Sequence, residues 1–255
     1  MENNLNYKQW HDKETGSFHV RTNVYFSQCD KNKQLSLNEL LRITSDIAVE
    51  DYRQQGMSRE VLLQNGYAIL VSRCSFRIHS MPRENDRIEI VTREERPEPL
   101  QLMRAYEILD ENGTSLVSGS SSWLVVDLST RRILPTKKFT MRNPTEFTGE
   151  HDCLPVSKII VPENIEQIDE RTIRRSDIDA NGHTNNSRYG AFISDALGDI
   201  LDKTQISDFR INYSKEAMLG EKLNIYSSYD EASKKILLVG KTDSATSFES
   251  EIFLK

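Results

Sequence analysis

A chain of 255 residues with 33 Lys and Arg against 39 Asp and Glu carries a net charge of −6, which excludes general nucleic-acid binding, a function that needs a basic surface. Hydrophobic residues make up 37% and charged residues 28%, the balance of a globular chain with room for two ordinary domains. No apolar run approaches the roughly 18 residues that would enter and cross a bilayer.

The N-terminal stretch, Met1 to Gly16, is polar and carries acids. It reads as neither a secretory signal nor a transit peptide, so a cytoplasmic location is expected. Cys29, Cys74 and Cys153 are far apart, odd in number and without metal-ligand spacing. They read as reduced structural thiols, and neither a metal nor another cofactor is expected.

An extended segment from Ser17 to Asp30 leads into an amphipathic helix of about four turns, with Leu37, Leu40, Leu41, Thr44, Ile47, Ala48 and Tyr52 on one stripe and Gly56 as its stop. Four strand-like runs follow, over 66–80, 86–95, 101–110 and 115–128, with turn chemistry at Glu111-Asn112-Gly113. The segment from Leu134 to Glu163, rich in Pro, Thr and charge, reads as a linker.

The order then repeats. An extended stretch over 168–180 precedes a second helix from about Asn186 to Leu201, striped by Tyr189, Phe192, Ile193, Ala196, Leu197 and Ile200, and four more strand-like runs complete the chain. Phe-Arg-Ile recurs at the same point of each half, at 76–78 and 209–211. A lone helix with one apolar stripe must bury it against the sheet that follows. The expectation is therefore an α+β fold, a double hot-dog of two antiparallel sheets each wrapped on a long helix. Its domains span 1–138 and 165–255, with 139–164 between them.

The segment Asp177 to Asn186 packs two carboxylates, three carboxamides and one imidazole in front of the second helix. Alternation lets Asp179, Asn181 and His183 face one side. Asn185 or Asn186 can cap the helix, whose first amides favour negative charge. This set suits acyl transfer to water: helix-end amides for an oxyanion, and an acid or imidazole for the proton. The same residues also suit an N-cap loop without chemistry. A calcium loop is excluded by Arg188, which stands where the bidentate Glu would be. One histidine with scattered acids is too thin for a transition metal.

The run Ser176-Asp-Ile-Asp-Ala-Asn-Gly-His-Thr-Asn-Asn186, followed by Tyr189, resembles the Asp-x-Asn-x-His-x-Asn-Asn-x-x-Tyr signature of plant and bacterial acyl-carrier-protein thioesterases. The likeness extends to the long first helix, to Trp123-Leu-Val-Val-Asp, to Thr130-Arg-Arg, and to Tyr213-Ser-Lys-Glu-Ala217 on the strand after the second helix. It implies hydrolysis of fatty acyl thioesters on acyl carrier protein, with Asp179, Asn181, His183 and Glu216 catalytic. Many plant members have a Cys after the Glu; Ala217 stands there, so a thiol nucleophile is not expected at that position.

By the same resemblance, Glu216 steered by His183 activates water, with Asp179 able to exchange roles with Glu216. Asn181 and helix-start amides hold the carbonyl. Asn185, Asn186, Arg174, Arg175, Arg188 and Trp123 bind substrate. The acyl chain would run between helix and sheet of the first domain, past Leu40, Ile47, Ile69, Val71, Met103 and Trp123. An acidic carrier with its 4′-phosphopantetheine arm needs basic residues: Arg171, Arg174, Arg175, Arg188 and Lys215 form one cluster, and Arg131, Arg132, Lys137 and Lys138 another. A coenzyme A thioesterase, a non-catalytic acyl-binding protein and a hot-dog dehydratase are the alternatives. A homodimer is compatible with the pattern, which does not encode it.

Overall fold

The computed structural model describes residues 7–255; the first six residues of the N-terminal stretch lie outside it. In the first half, β1 (Lys8–His11) and β2 (Phe18–Asn23) lead to α1 (Leu37–Gln54) and α2 (Arg59–Gln64). The strands β3 (Tyr67–Ile78), β4 (Arg87–Glu95), β5 (Leu102–Leu109), β6 (Ser115–Asp127) and β7 (Arg132–Ile133) follow. The second half runs β8 (Glu166–Thr172), α3 (Arg188–Leu197), α4 (Asp199–Lys203), β9 (Ile206–Tyr213), β10 (Lys222–Asp230), β11 (Lys235–Lys241) and β12 (Thr246–Leu254). All twelve strands form one sheet, ordered β1-β2-β4-β5-β6-β3-β9-β12-β11-β10-β8, with β7 on β6. Every pairing is antiparallel. This is the α+β hot-dog architecture, doubled.

The halves join where β3 pairs with β9, and the repeated tripeptides meet there. Phe76 lies opposite Phe209, their rings stacked at 6.4 Å, and both are fully buried. The two long helices cross beside this seam. Gly190 of α3 abuts the backbone of Leu37 and Asn38 at the start of α1, with no room for a Cβ.

The α1 stripe is as read, with Leu37, Leu40, Leu41, Thr44, Ile47, Ala48 and Tyr52 all buried. Its 18 residues make five turns rather than four, from the Ser36 cap on Glu39 N–H to the left-handed Gly56 at φ 84°. The second helix is shorter than its stripe implied. Gly198, at φ 47°, breaks it into α3 and α4, and Ile200 falls beyond the break, half-exposed. Periodicity continues across a glycine that the backbone does not follow. Among the described residues, β1, β7 and α2 are additions to the sequence reading.

Beneath the C-terminal end of α1 the first half holds charge in its core. Arg104 is fully buried; its Nη1 donates to Asp51 Oδ2 at 2.7 Å and to Thr92 Oγ1 at 3.1 Å, and its guanidinium lies 4.7 Å over the Tyr52 ring. Alternation along β5 puts Leu102, Arg104 and Tyr106 towards α1 and Met103 on the other face. Met103 therefore does not line the space between helix and sheet.

The segment between the halves is a packed strap rather than a loose linker. Phe139, Cys153 and Ile159 are buried. His151 bonds Glu95 at 2.7 Å, and Arg210 donates to Ser157 O and Oγ at 2.9 and 2.8 Å.

Candidate active site

The loop before α3 is built by its own backbone. Asp179 N–H donates to His183 O at 2.9 Å and Gly182 N–H to Asp179 O at 3.0 Å, a turn that requires Gly182 at φ 84°. The Asp179 carboxylate accepts from the N–H of Asn181 at 2.8 Å and of His183 at 3.4 Å, so it braces the turn. Asn185 is the cap of the helix entry: its Oδ1 accepts from Ser187 N–H at 2.9 Å and Ser187 Oγ at 2.8 Å.

Glu216 reaches this loop from β9. The strand ends at Tyr213, so Glu216 and Ala217 lie in the connection beyond it rather than on the strand. That connection is docked twice. Thr184 donates both N–H and hydroxyl to Ala217 O, at 3.2 and 2.7 Å, and Ala217 N–H donates to the buried Tyr189 hydroxyl at 3.3 Å. The Tyr189 phenol is pushed up by burial, so it stays neutral there. Because Ala217 is held this way, Glu216 Oε1 comes to 3.9 Å from His183 Nδ1, with both side chains about half in solvent. The distance is ion-pair range, and closing it by less than about 1 Å would make a hydrogen bond.

Asn181 lies two residues before His183 on the same turn, its Nδ2 3.4 Å from Asp179 Oδ2. Its Oδ1 accepts at 3.0 Å from Nε of Arg59, on α2 of the first half. Sequence spacing gave no signal for Arg59, 122 residues away, and only the folded chain brings the two together.

The expected helix-start amides are partly spent. Ser187 N–H is on Asn185 Oδ1 and Arg188 N–H on Asn185 O at 2.8 Å, whereas Asn186 N–H makes no hydrogen bond among the described residues. The basic cluster divides as well. Arg188 donates to buried Asp177 at 3.0 Å, and Arg171 pairs with Asp195 at 2.9 Å while lying 3.6 Å over the Phe192 ring. Arg174, Arg175 and Lys215 are exposed and make no ion pair among the described residues. Arg131, Arg132, Lys137 and Lys138 are exposed at β7 and the turn after it. Trp123 is buried in the first half, donating to Ser121 Oγ at 2.7 Å, and does not approach the loop.

The first half contains the same loop. Asp30 N–H donates to Gln34 O at 2.8 Å, Lys33 N–H to Asp30 O at 3.0 Å, and the Asp30 carboxylate accepts from Asn32 and Gln34 N–H at 2.8 and 3.1 Å. Lys33 takes the left-handed position at φ 59°, and Leu35 N–H donates to Pro82 O at 2.8 Å as Thr184 does to Ala217. Gln34 thus replaces His183, and Met81, which precedes Pro82, replaces Glu216. A cavity of about 610 Å³ opens at this copy, bounded by Gln34, Asn38, Met81, Ser194 and Leu201. This copy has Gln34 and Met81 where the second has His183 and Glu216, so it lacks both proton-accepting groups. The shared Asp-x-Asn spacing, at 30–32 and 179–181, is the signal that reveals it.

Two family models decide the identity: the N-terminal domain of acyl-ACP thioesterases matches residues 15–140 and the C-terminal domain matches 162–251. The chain belongs to the acyl-ACP thioesterase family. It hydrolyses the thioester of fatty acyl chains on acyl carrier protein. Solved structures share the fold over nearly the whole length. An acyl-ACP thioesterase from Bacteroides thetaiotaomicron superposes with a TM-score of 0.85 at 20% identity, covering 94% of this chain and 98% of that one. The 12:0-ACP thioesterase from Umbellularia californica does so at 0.77 and 15%, covering 94% and 97%. No curated protein matches in sequence. Among the described residues, no helix of this thioesterase is long and apolar enough to cross a membrane, and no group of His, Cys, Asp and Glu could hold a metal ion.

Proposed function

We propose that the thioesterase works by water attack, with Glu216 as general base steered by His183, and Asn181 as donor to the thioester oxygen. The observation that carries this is the 3.9 Å approach of His183 to Glu216 from two separate elements. Asp179 is committed to two loop amides, which supports a structural role for it and leaves Glu216 free for the proton. Water loses a proton to Glu216 as its oxygen bonds the carbonyl carbon. The negative charge moves to the former carbonyl oxygen, within reach of the Asn181 carboxamide and the uncommitted Asn186 N–H. Collapse breaks the carbon–sulfur bond, and the proton passes through Glu216 and His183 to the departing thiolate. Free acid and carrier thiol result.

The carrier is acidic, and the exposed Arg174, Arg175 and Lys215 flank the loop without internal partners, which supports docking there. Docking of a homodimer partner has no such support. A cytoplasmic location accords with three unpaired cysteines. Coenzyme A thioesters share the pantetheine arm and are the second reading.

The test is acid release from a panel of acyl carrier protein substrates and matching coenzyme A thioesters, for wild type, His183→Ala and Arg174→Glu. Carrier-linked turnover that collapses in the first variant, with KM raised for the carrier alone in the second, is the expected result. Equal rates on coenzyme A thioesters would remove the carrier preference, and full activity of His183→Ala would remove the site.

A further inference from the structure

The reading of Asn181 as carbonyl donor raises a physical difficulty. Asn181 is exposed, and the terminal torsion of a carboxamide is broad and nearly two-fold. Left alone, the group would present its oxygen to the substrate about as often as its NH2. An oxygen aimed at a developing oxyanion repels it.

We propose that Arg59, from the other half of the chain, is a positioning residue that holds the Asn181 carboxamide in its donor orientation. The inference rests on the hydrolytic reading above and extends it to a residue outside the loop. A guanidinium can only donate, so Arg59 Nε at 3.0 Å can pair only with the oxygen end of the amide. A carboxylate can only accept, so Asp179 Oδ2, 3.4 Å from Nδ2, favours the nitrogen end. The two together fix one orientation. One amide proton faces Asp179, and the other is left for the thioester oxygen.

The first half is built to hold Arg59 in place. Arg59 opens α2, whose cap is Ser58: its Oγ accepts from Val61 N–H at 3.4 Å and its carbonyl from Leu62 N–H at 2.9 Å. Leu62, one turn on, is buried in the common core. The backbone of Arg59 is thus tied to the first half, while its guanidinium clamps a side chain of the second.

The duplicated loop supplies an internal comparison. There too the opposite half sends in a short helix, but the contact is different. Asp202 of α4 pairs with Lys31, and the Asn32 side chain makes no hydrogen bond among the described residues. The carboxamide clamp exists only at the loop that carries His183 and Glu216.

The experiment uses Arg59→Met and Arg59→Lys in the full chain, each with Asn181 intact and with Asn181→Ala. Turnover is read on an acyl N-acetylcysteamine thioester, which has no phosphate for the arginine to bind. Arg59→Met should lower kcat about three- to tenfold with KM little changed, the effect of losing one ordinary, solvent-exposed hydrogen bond. Arg59→Lys, still a donor, should recover part of it. In the Asn181→Ala background, Arg59→Met should change kcat by less than about 1.5-fold, because the residue it acts through is gone.

An equal loss in both backgrounds, or an effect confined to KM, would overturn the proposal. Nuclear magnetic resonance of the Asn181 side-chain amide checks the same point without turnover. Its two N–H signals should be shifted from those of a free carboxamide in wild type and move towards the free values in Arg59→Met, and unchanged signals would also overturn it. A wild type that released no acid from any thioester would instead remove the hydrolytic reading on which the inference stands.

Discussion

Replacing Gly190 with Ala sets two physical effects against each other, and their sizes decide the sign. In an unobstructed helix interior the change adds about 1 kcal/mol of stability through the backbone entropy of the unfolded chain. At Gly190, however, the new Cβ would lie 2.8 Å from Asn38 N, 2.9 Å from Leu37 C and 3.0 Å from Asn38 Cα. All three are backbone atoms at the start of α1, which the Ser36 cap and the buried Leu37 and Leu40 hold in place. No side chain can swing aside, so the two helices must part. Overpacking of this kind costs roughly 1–3 kcal/mol, and a backbone obstacle puts it at the upper end. Subtracting the propensity gain leaves a net loss of about 2 kcal/mol, or roughly 4–8 °C in Tm for a chain this long. Thermal unfolding of the two proteins followed by calorimetry measures it. The displaced α3 would also carry Tyr189 away from Ala217, so kcat at 25 °C should fall further than the unfolded fraction explains. A Tm equal to or above wild type would refute the reasoning, since it would show that the crossing yields at no cost.

Three further outcomes are expected. Glu216→Gln should lower kcat at least about a hundredfold as the proton acceptor is lost, with Tm nearly unchanged for so exposed a side chain, and near-normal turnover would move the base role elsewhere. Iodoacetamide at pH 7.5 should leave activity within about twofold, because burial pushes the Cys74 thiol up to about 12 and Cys153 up to about 11, and only a thiolate reacts. Loss of activity in step with alkylation would contradict this. His151 is raised above its ordinary 6.5, chiefly by its hydrogen bond to Glu95. The folded state therefore binds its proton more tightly than the unfolded state does. The stability it adds is complete below about pH 6.5 and is lost as pH rises through the raised folded value. Tm measured from pH 5.5 to 8.5 should show that decline in wild type, and His151→Gln should flatten it; parallel curves would remove the assignment.

The repeat, both helix stripes and the strand-like runs along the chain were legible in the sequence because each depends on local periodicity. The segment proposed to be catalytic was legible as a unit for a related reason: Asp179, Asn181 and His183 lie within five residues, on one turn whose backbone they themselves define. What escaped was set by the tertiary fold. Arg59 meets Asn181 only because α2 of one half packs beside the loop of the other. The pairing of Arg188 with buried Asp177 at 3.0 Å likewise gave no sign in the spacing of the basic residues. The second helix was read too long because an apolar stripe persists through Gly198, and a stripe records burial preference rather than backbone direction. The strap between the halves looked like a linker because its packing partners are distant in sequence and give it no periodicity of its own.

The proposed site makes activity a property of side chains rather than of the fold, because the paired loops share one frame. The hydrogen bonds donated by the loop N–H groups correspond in the two turns, from the bracing aspartate to the residue that ties each loop to the connection opposite. They differ in what that common frame presents: His183 and Glu216 in one, Gln34 and Met81 in the other. Gln34 can still donate and accept hydrogen bonds but cannot take up a proton near neutral pH, and Met81 is a weak acceptor at best. The frame without the titratable pair has no group to receive the proton of an attacking water. The left-handed position differs energetically between the two. Lys33 occupies it at a cost that Gly182 does not incur, a cost the hydrogen bonds around it must offset. The hydrogen bonds of the first frame close the start of α1, and the start of α1 is the surface on which Gly190 seats α3. The first loop thus supports the helix crossing, the crossing orients Tyr189, and Tyr189 with Thr184 holds the connection that delivers Glu216 to His183.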